Sequence, residues 1–86
     1  MKLSIIIVNY NVTDLLKSCL FSIEKYISEV DYEVIVIDNA SPDESWKKLI
    51  AEFPKVQFLA EKENLGFSKA NNKAVQLAKG EYILLL

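Results

Sequence analysis

Three polar clusters in this sequence each follow an apolar run, and their residue types suit a flat, polar ligand. Asn9-Tyr10-Asn11 follows Ser4 to Val8, Asp38-Asn39-Ala40-Ser41 follows Tyr32 to Ile37, and Glu63-Asn64-Leu65-Gly66 follows Val56 to Ala60. Tyr10 offers a ring that stacks on a base and a hydroxyl that reaches a polar group. Asp38 is a carboxylate acceptor for the N–H of a pyrimidine or for a ribose hydroxyl. Asn64 and Gly66 shape the third loop, Gly66 by a positive φ or a close backbone approach. Asn72 adds an amide beside the inward stripe of the helix that follows. Each also has a plain structural use. Asp38 caps backbone in a turn, Tyr10 packs as a buried aromatic, Asn64 turns the chain, and Asn71 or Asn72 faces solvent or ties down a loop. The joint pattern carries more than any single residue.

Other chemistries drop out on composition. The chain has no histidine and one cysteine, Cys19. A histidine-based triad is therefore excluded, a zinc site made by this chain alone is disfavoured, and no internal disulfide forms. Cys19 reads as a small buried hydrophobe on a helix. Only two glycines occur, Gly66 and Gly80, so neither a dinucleotide fingerprint nor a phosphate-cradling glycine loop follows the first apolar run. A net charge of −2 with no basic cluster argues against nucleic acid and against an anionic membrane patch. No apolar run reaches the length of a membrane span, and no signal peptide precedes the first strand. At 86 residues the chain suits one domain, and a cytoplasmic location is the default.

The elements that position these clusters follow from periodicity. Ser4-Ile5-Ile6-Ile7-Val8 does not alternate, so as a strand it has no solvent face and needs cover on both sides. Leu16, Cys19, Leu20, Ile23 and Ile27 recur at helical spacing, predicting a helix over about residues 12–28, capped by Asn11 or Thr13. A second buried strand covers 32–37. Ser41-Pro42-Asp43-Glu44 predicts a capped helix start, with Trp46, Leu49, Ile50 and Phe53 as its apolar stripe and Pro54 as its stop. A shorter, more alternating strand at 56–60 reads as an edge. The third helix runs from about 67 to 79 with Ala70, Ala74, Leu77 and Ala78 inward and Gly80 as terminator, and an apolar strand covers 81–86. The order β-α-β-α-β-α-β means α/β architecture: a three-layer, Rossmann-like parallel sheet, of order 3-2-1-4 if the most apolar strand is central. Ligands bind such sheets at the carboxyl edge, beside the switch between strands 1 and 4.

These motifs resemble the nucleotide-binding half of family 2 glycosyltransferases of GT-A fold. The matching pieces are Ser4 to Asn11, Val36 to Ser41, Glu63 to Asn72 and Ala78 to Leu86, in the family's order and spacing. The resemblance implies a nucleotide-binding set of Val8, Asn9, Tyr10, Asp38, Asn39, Asn64, Gly66 and Asn72. Val8 and Tyr10 fall where the family lines its base and ribose pocket, and Asp38 falls on the carboxylate that contacts the base. Asn39 stands where many members have a second Asp, and Asn71 where many have an Arg before the Asn at position 72. Both departures look like the rhamnosyltransferase-like branch.

The resemblance further implies transfer of a sugar, with inversion, from a nucleotide-diphosphate sugar to a glycan or lipid-linked acceptor, as in polysaccharide biosynthesis. The work would be done in the cytoplasm, up to the inner face of the membrane. The family's Asp-x-Asp motif, which holds Mg or Mn on the donor diphosphate, follows the fourth strand, and the catalytic base and acceptor site come later. Residues 1–86 thus read as the donor half of a domain truncated before that motif, with no catalytic residue and no metal ligand of its own, and inert alone. The alternative is a non-catalytic Rossmann-like or receiver-like binding module. A receiver wants an acidic cluster at one strand end and a phosphorylatable Asp after strand 3, where this chain has Glu61-Lys62-Glu63. Strand 81–86, apolar and bare at an edge, predicts self-association.

Overall fold

A computed structural model describes residues Met1–Leu86 in full. The elements are β1 (Leu3–Asn9), α1 (Thr13–Tyr26), β2 (Tyr32–Asp38), a 3₁₀ turn (Ser45–Lys47) leading into α2 (Lys48–Glu52), β3 (Gln57–Ala60), α3 (Phe67–Leu77) and β4 (Tyr82–Leu85). All strand pairs are parallel, in the order β3-β2-β1-β4. The topology is that expected from the alternation of apolar runs and amphipathic stretches.

The unalternating strands are central because both their faces are covered. Odd residues of β1 and even residues of β2 (Ile5, Ile7, Val34, Val36) pack under Leu16, Leu20 and Ile23 of α1 and under Leu49 and Phe53. On the other face, Ile6, Ile35 and Ile37 meet Ala70 and Ala74 of α3, whose short side chains let the helix sit close. Trp46 closes the β3 side by stacking on Phe58, with ring centroids 6.1 Å apart. Cys19 packs at the margin of the larger cluster, and burial pushes its thiol up, so it stays neutral. No helix is long and apolar enough to cross a membrane.

Four local expectations are corrected. The first helix has no side-chain cap: Asn11 takes a left-handed conformation (φ 55°), and Thr13 Oγ1 pairs with Ser45 Oγ at 2.8 Å. Ser41 does not cap the second helix, because both its amide and its hydroxyl are spent on Asp38. Helical turns begin only at Ser45, whose amide is held by Asp43 Oδ1 at 2.6 Å, and Ile50 faces outward. The third helix ends at Leu77, which is itself exposed, and Ala78 closes it in an extended conformation.

Gly80 has a different job from the one its position suggests. A Cβ there would lie 2.6 Å from both the amide nitrogen and the hydroxyl of Ser4. The glycine is needed for close approach, since its amide donates to Ser4 Oγ at 2.8 Å. Ser4 in turn donates to Glu33 Oε2, which also accepts the Lys79 amide. This staple at the amino edge carries the chain from α3 into β4. Beyond it β4 is bare: every residue from Tyr82 to Leu86 is exposed.

Candidate functional site

The carboxyl ends of β1 and β2 finish level, with Asn9 opposite Asp38. The ladder runs one residue further on each strand: the Asn39 amide donates to the Asn9 carbonyl at 2.8 Å, and the Glu61 amide to the Asp38 carbonyl at 2.9 Å. By the strand alternation, Asn9 and Asp38 share the sheet face of Ile7 and Val36.

Asp38 is only 3% exposed, and its carboxylate needs partners in proportion. Oδ1 accepts from Asn9 Nδ2 at 2.9 Å and from the Ser41 hydroxyl at 2.6 Å, and Oδ2 accepts the Ser41 amide at 3.0 Å. The turn that brings Ser41 back onto Asp38 requires a left-handed residue, Ala40 at φ 63°. The Ser41 hydroxyl also accepts the Asn11 amide at 2.9 Å, so the two left-handed loops are tied together. Only the NH2 of Asn9 can face a carboxylate, which leaves its Oδ1 turned away, buried and unpartnered.

The next two site residues form a second network. Asn39, 3% exposed, donates through Nδ2 to Asn64 Oδ1 at 3.0 Å and accepts the Leu65 amide on its own Oδ1 at 2.8 Å. Asn64 Oδ1 also takes the Gly66 amide at 2.8 Å. Gly66 has φ 79° and ψ 163°, a region open to glycine alone, and nothing lies within 4 Å of the point where a Cβ would stand. Its constraint is conformational. The loop thus turns sharply into α3, and Lys73 of that helix pairs with Glu61 behind it.

The structure brings Asn9, Asp38, Asn39, Asn64 and Gly66 into one bonded corner. Val8 and Tyr10 are not part of it. Val8 is half-buried against the α3-side cluster, and Tyr10 is 45% exposed at the end of β1. Asn72 is exposed on α3. Its neighbour Asn71 is 4% exposed with neither amide atom partnered. Lys73 fixes which flank of α3 faces β3. Asn71, about 160° around the helix from it, therefore lies on the flank toward β1 and β4. The sequence did carry a signal for Asn71 over Asn72: Asn71 lies three residues before Ala74 and seven before Ala78, on the flank of the inward stripe, whereas Asn72 falls on the opposite face.

The larger surface depressions lie elsewhere. One of about 530 Å³ opens at the amino edge between α1 and the Asp31–Val34 segment, and one of about 590 Å³ lies beside Ala60, Glu61 and Lys73. Neither includes Tyr10 or Asp38. Nor do these residues fit a metal ion. No three His, Cys, Asp or Glu side chains come together, and three donors already occupy the Asp38 carboxylate.

Comparison with known proteins gives this corner a context. Poly(ribitol-phosphate) beta-glucosyltransferase of Bacillus spizizenii is 37% identical over 94 residues, covering 100% of this chain and 14% of that protein. Among solved structures, S. aureus TarS superposes with a TM-score of 0.85 at 28% identity, over 100% of this chain and 16% of its own. The mannosyltransferase PcManGT from Pyrobaculum calidifontis, in complex with GDP-Man and Mn2+, gives 0.81 at 31% identity, over 95% of this chain and 26% of its own. TarS residues 1–349 in complex with UDP-GlcNAc give 0.73 at 28%, over 100% and 26%. This chain therefore spans about a quarter or less of the proteins it matches, and its sheet is the corresponding part of a GT-A fold. The model of Glycosyl transferase family 2 matches residues 4–86, and the chain belongs to that family.

Proposed function

We propose that residues 1–86 are the donor-nucleotide half of an inverting glycosyltransferase, which moves a sugar from a nucleotide-diphosphate sugar to a glycan or lipid-linked acceptor. The observation that carries this reading is Asp38: a carboxylate fixed by three donors at the carboxyl end of β2, one strand away from the β1/β4 switch point. Relatives sharing this fold are seen with GDP-Man and with UDP-GlcNAc, which supports a nucleotide sugar here. In this reading Asp38 meets the base, Val8 and Tyr10 line the base and ribose, and Asn9, Asn39, Asn64 and Gly66 hold the corner rigid. Asn72, exposed on the outer face of α3, is left without a contact in this set, and Asn71 joins the set as a buried amide without a partner.

The reaction is direct displacement at the anomeric carbon. A carboxylate takes the acceptor's proton, and a divalent cation offsets the charge that builds on the leaving diphosphate. This chain supplies neither group. Its share is to bind and orient the nucleotide, and alone it is inert. The Mn2+ beside GDP-Man in PcManGT supports Mg or Mn as the cation of the larger enzyme. Polysaccharide synthesis in the cytoplasm, up to the membrane's inner face, fits such donors. Asn39 and Asn71, the departures that suggested a rhamnosyltransferase-like branch, are both buried, so they report on the architecture of the site as much as on the sugar.

Calorimetric titration of the chain with UDP, GDP and dTDP tests the reading. Binding without turnover is expected, and Asp38→Ala abolishes it; no heat with any of the three at millimolar concentration overturns it. A receiver-like module is disfavoured by the strand order, since flavodoxin-like receivers run 2-1-3-4-5.

A second behaviour follows from β4. The amides of Tyr82 and Leu86 bond to β1, so those of Ile83 and Leu85 point to the open edge. With Ile83 to Leu86 each 42–50% exposed, this edge invites pairing with a second copy. Light scattering at rising concentration should show association, and a clean monomer throughout removes the proposal.

A further inference from the structure

The open edge of β4 is specific enough to fix how a second copy pairs with it, an inference that rests on the self-association proposed above. Tyr82, and Leu86 just past the strand, give their amides to β1, which leaves the N–H and C=O of Ile83 and Leu85 facing outward. Tyr82 and Leu84 stand on the sheet face of Leu3 and Ile5, while Ile83 and Leu85 stand on the face of Ser4 and Ile6. Two copies that meet edge to edge about a two-fold axis through the sheet have antiparallel strands. Residues opposite one another in an antiparallel pair share a face and a bonding role. Ile83 and Leu85 therefore face only Ile83 or Leu85 of the second copy.

That leaves three registers, and two of them are poor. With Ile83 opposite Ile83, Glu81 falls against an apolar Leu85, and the Glu81 amide is already bonded to the Met1 carbonyl. With Leu85 opposite Leu85, Ile83 runs past the end of the second copy's β4. With Ile83 opposite Leu85, each such pair exchanges both of its N–H···O bonds. Every facing pair is then apolar: Tyr82 with Leu86, Ile83 with Leu85, and Leu84 with itself. All five of these residues are exposed, and the Lys2–Glu81 ion pair stays outside the paired stretch. We propose that a second copy of this chain adds to β4 in this register, with Leu84 on the two-fold axis. The two four-stranded sheets become one, with the α1 sides of both copies on the same face.

Leu84 makes the register readable. It forms a non-hydrogen-bonded pair with its own counterpart, with Cα atoms about 4.5 Å apart and within disulfide reach. Counterparts at position 83, or at 85, stand two residues out of register, beyond the roughly 7 Å limit. Oxidative cross-linking of Leu84→Cys, Ile83→Cys and Leu85→Cys tests this, each combined with Cys19→Ala so that no other thiol is present. Cysteine, a small hydrophobe, suits these exposed apolar positions. At a concentration where light scattering shows association, Leu84→Cys should form the disulfide-linked dimer about tenfold faster than either of the others. Leu84→Lys and Leu84→Glu should each stay monomeric, because like charges face one another, and an equimolar mixture of the two should associate. Faster cross-linking at 83 or 85, or equal rates at all three, overturns the register and leaves the self-association standing. So does Leu84→Lys associating as the wild type does, or a mixture that stays monomeric. A wild-type chain that is monomeric at every concentration overturns both.

Discussion

The carboxyl edge of the sheet has two flanks that are built in opposite ways. On the β2/β3 flank the side chains of Asp38, Asn39, Asn64 and Ser41 all find partners, and every strand end is tied to its neighbour. On the β1/β4 flank Asn71 is buried with no partner, Tyr10 stands out from the sheet, and β4 is uncovered on both faces. The same chain thus contains a polar corner finished but for Asn9 Oδ1 and an unfinished one. A buried amide left unpaired costs roughly 1–3 kcal/mol, a large share of a small domain's stability. The cost is tolerable where another group, a ligand or further protein, completes the bonds. The first flank is built to hold its own shape, and the second is built to be completed.

Asn→Leu substitutions separate the two. Asn39→Leu is expected to cost about 3 kcal/mol, because it orphans the Leu65 amide, removes one of the two donors to Asn64 Oδ1 and forces a branched apolar group into a polar corner. Chemical denaturation measures it, and a loss under about 1 kcal/mol would mean that the corner does not hold its own shape. Gly80→Ala tests the other flank's anchorage. The added methyl meets the Ser4 backbone and hydroxyl at 2.6 Å, so β4 must shift; about 2 kcal/mol of stability should be lost, with weakened amide protection in β4 and not in β3. Gly66→Ala meets no atom within 4 Å, so its cost of about 1–2 kcal/mol is conformational alone. Gly66→Asn should cost at least as much, since asparagine's tolerance of positive φ is confined to the left-handed helical region and does not reach ψ 163°.

How much of this was legible in the sequence varied by level. Ile5-Ile6-Ile7 and Val34-Ile35-Val36-Ile37 announce central strands because absence of alternation admits no other burial, and strand order follows from which run is most apolar. Asp38 and Gly66 stood out because carboxylates and glycines at strand ends have few uses. Local capping was harder to read. Ser41 has the spacing of a helix cap, yet a buried carboxylate three residues earlier competes for the same hydroxyl and wins, since a charge-assisted bond is the stronger one. Gly80 has the position of a helix terminator, but its reason lies 76 residues away at Ser4, beyond any local pattern. The choice between Asn71 and Asn72, by contrast, was legible locally, since helical spacing from Ala74 and Ala78 puts Asn71 on the inward flank and Asn72 on the far face.

Asn71→Leu is the smallest expected effect and the most discriminating, because its sign is opposite to that of Asn39→Leu. Leucine shares the branched outline of asparagine, and at position 71 it removes two unpartnered polar atoms that are already desolvated, with no partner left behind. Stability should rise by about 1 kcal/mol, read as a higher denaturation midpoint at unchanged slope. Nucleotide binding should fall in the same variant if the amide is held in reserve for the ligand. A stability gain with unchanged binding would leave Asn71 outside the ligand's reach. A loss of stability would mean that the amide already has a partner, such as an ordered water, and the contrast between the flanks would narrow to the exposed strand alone.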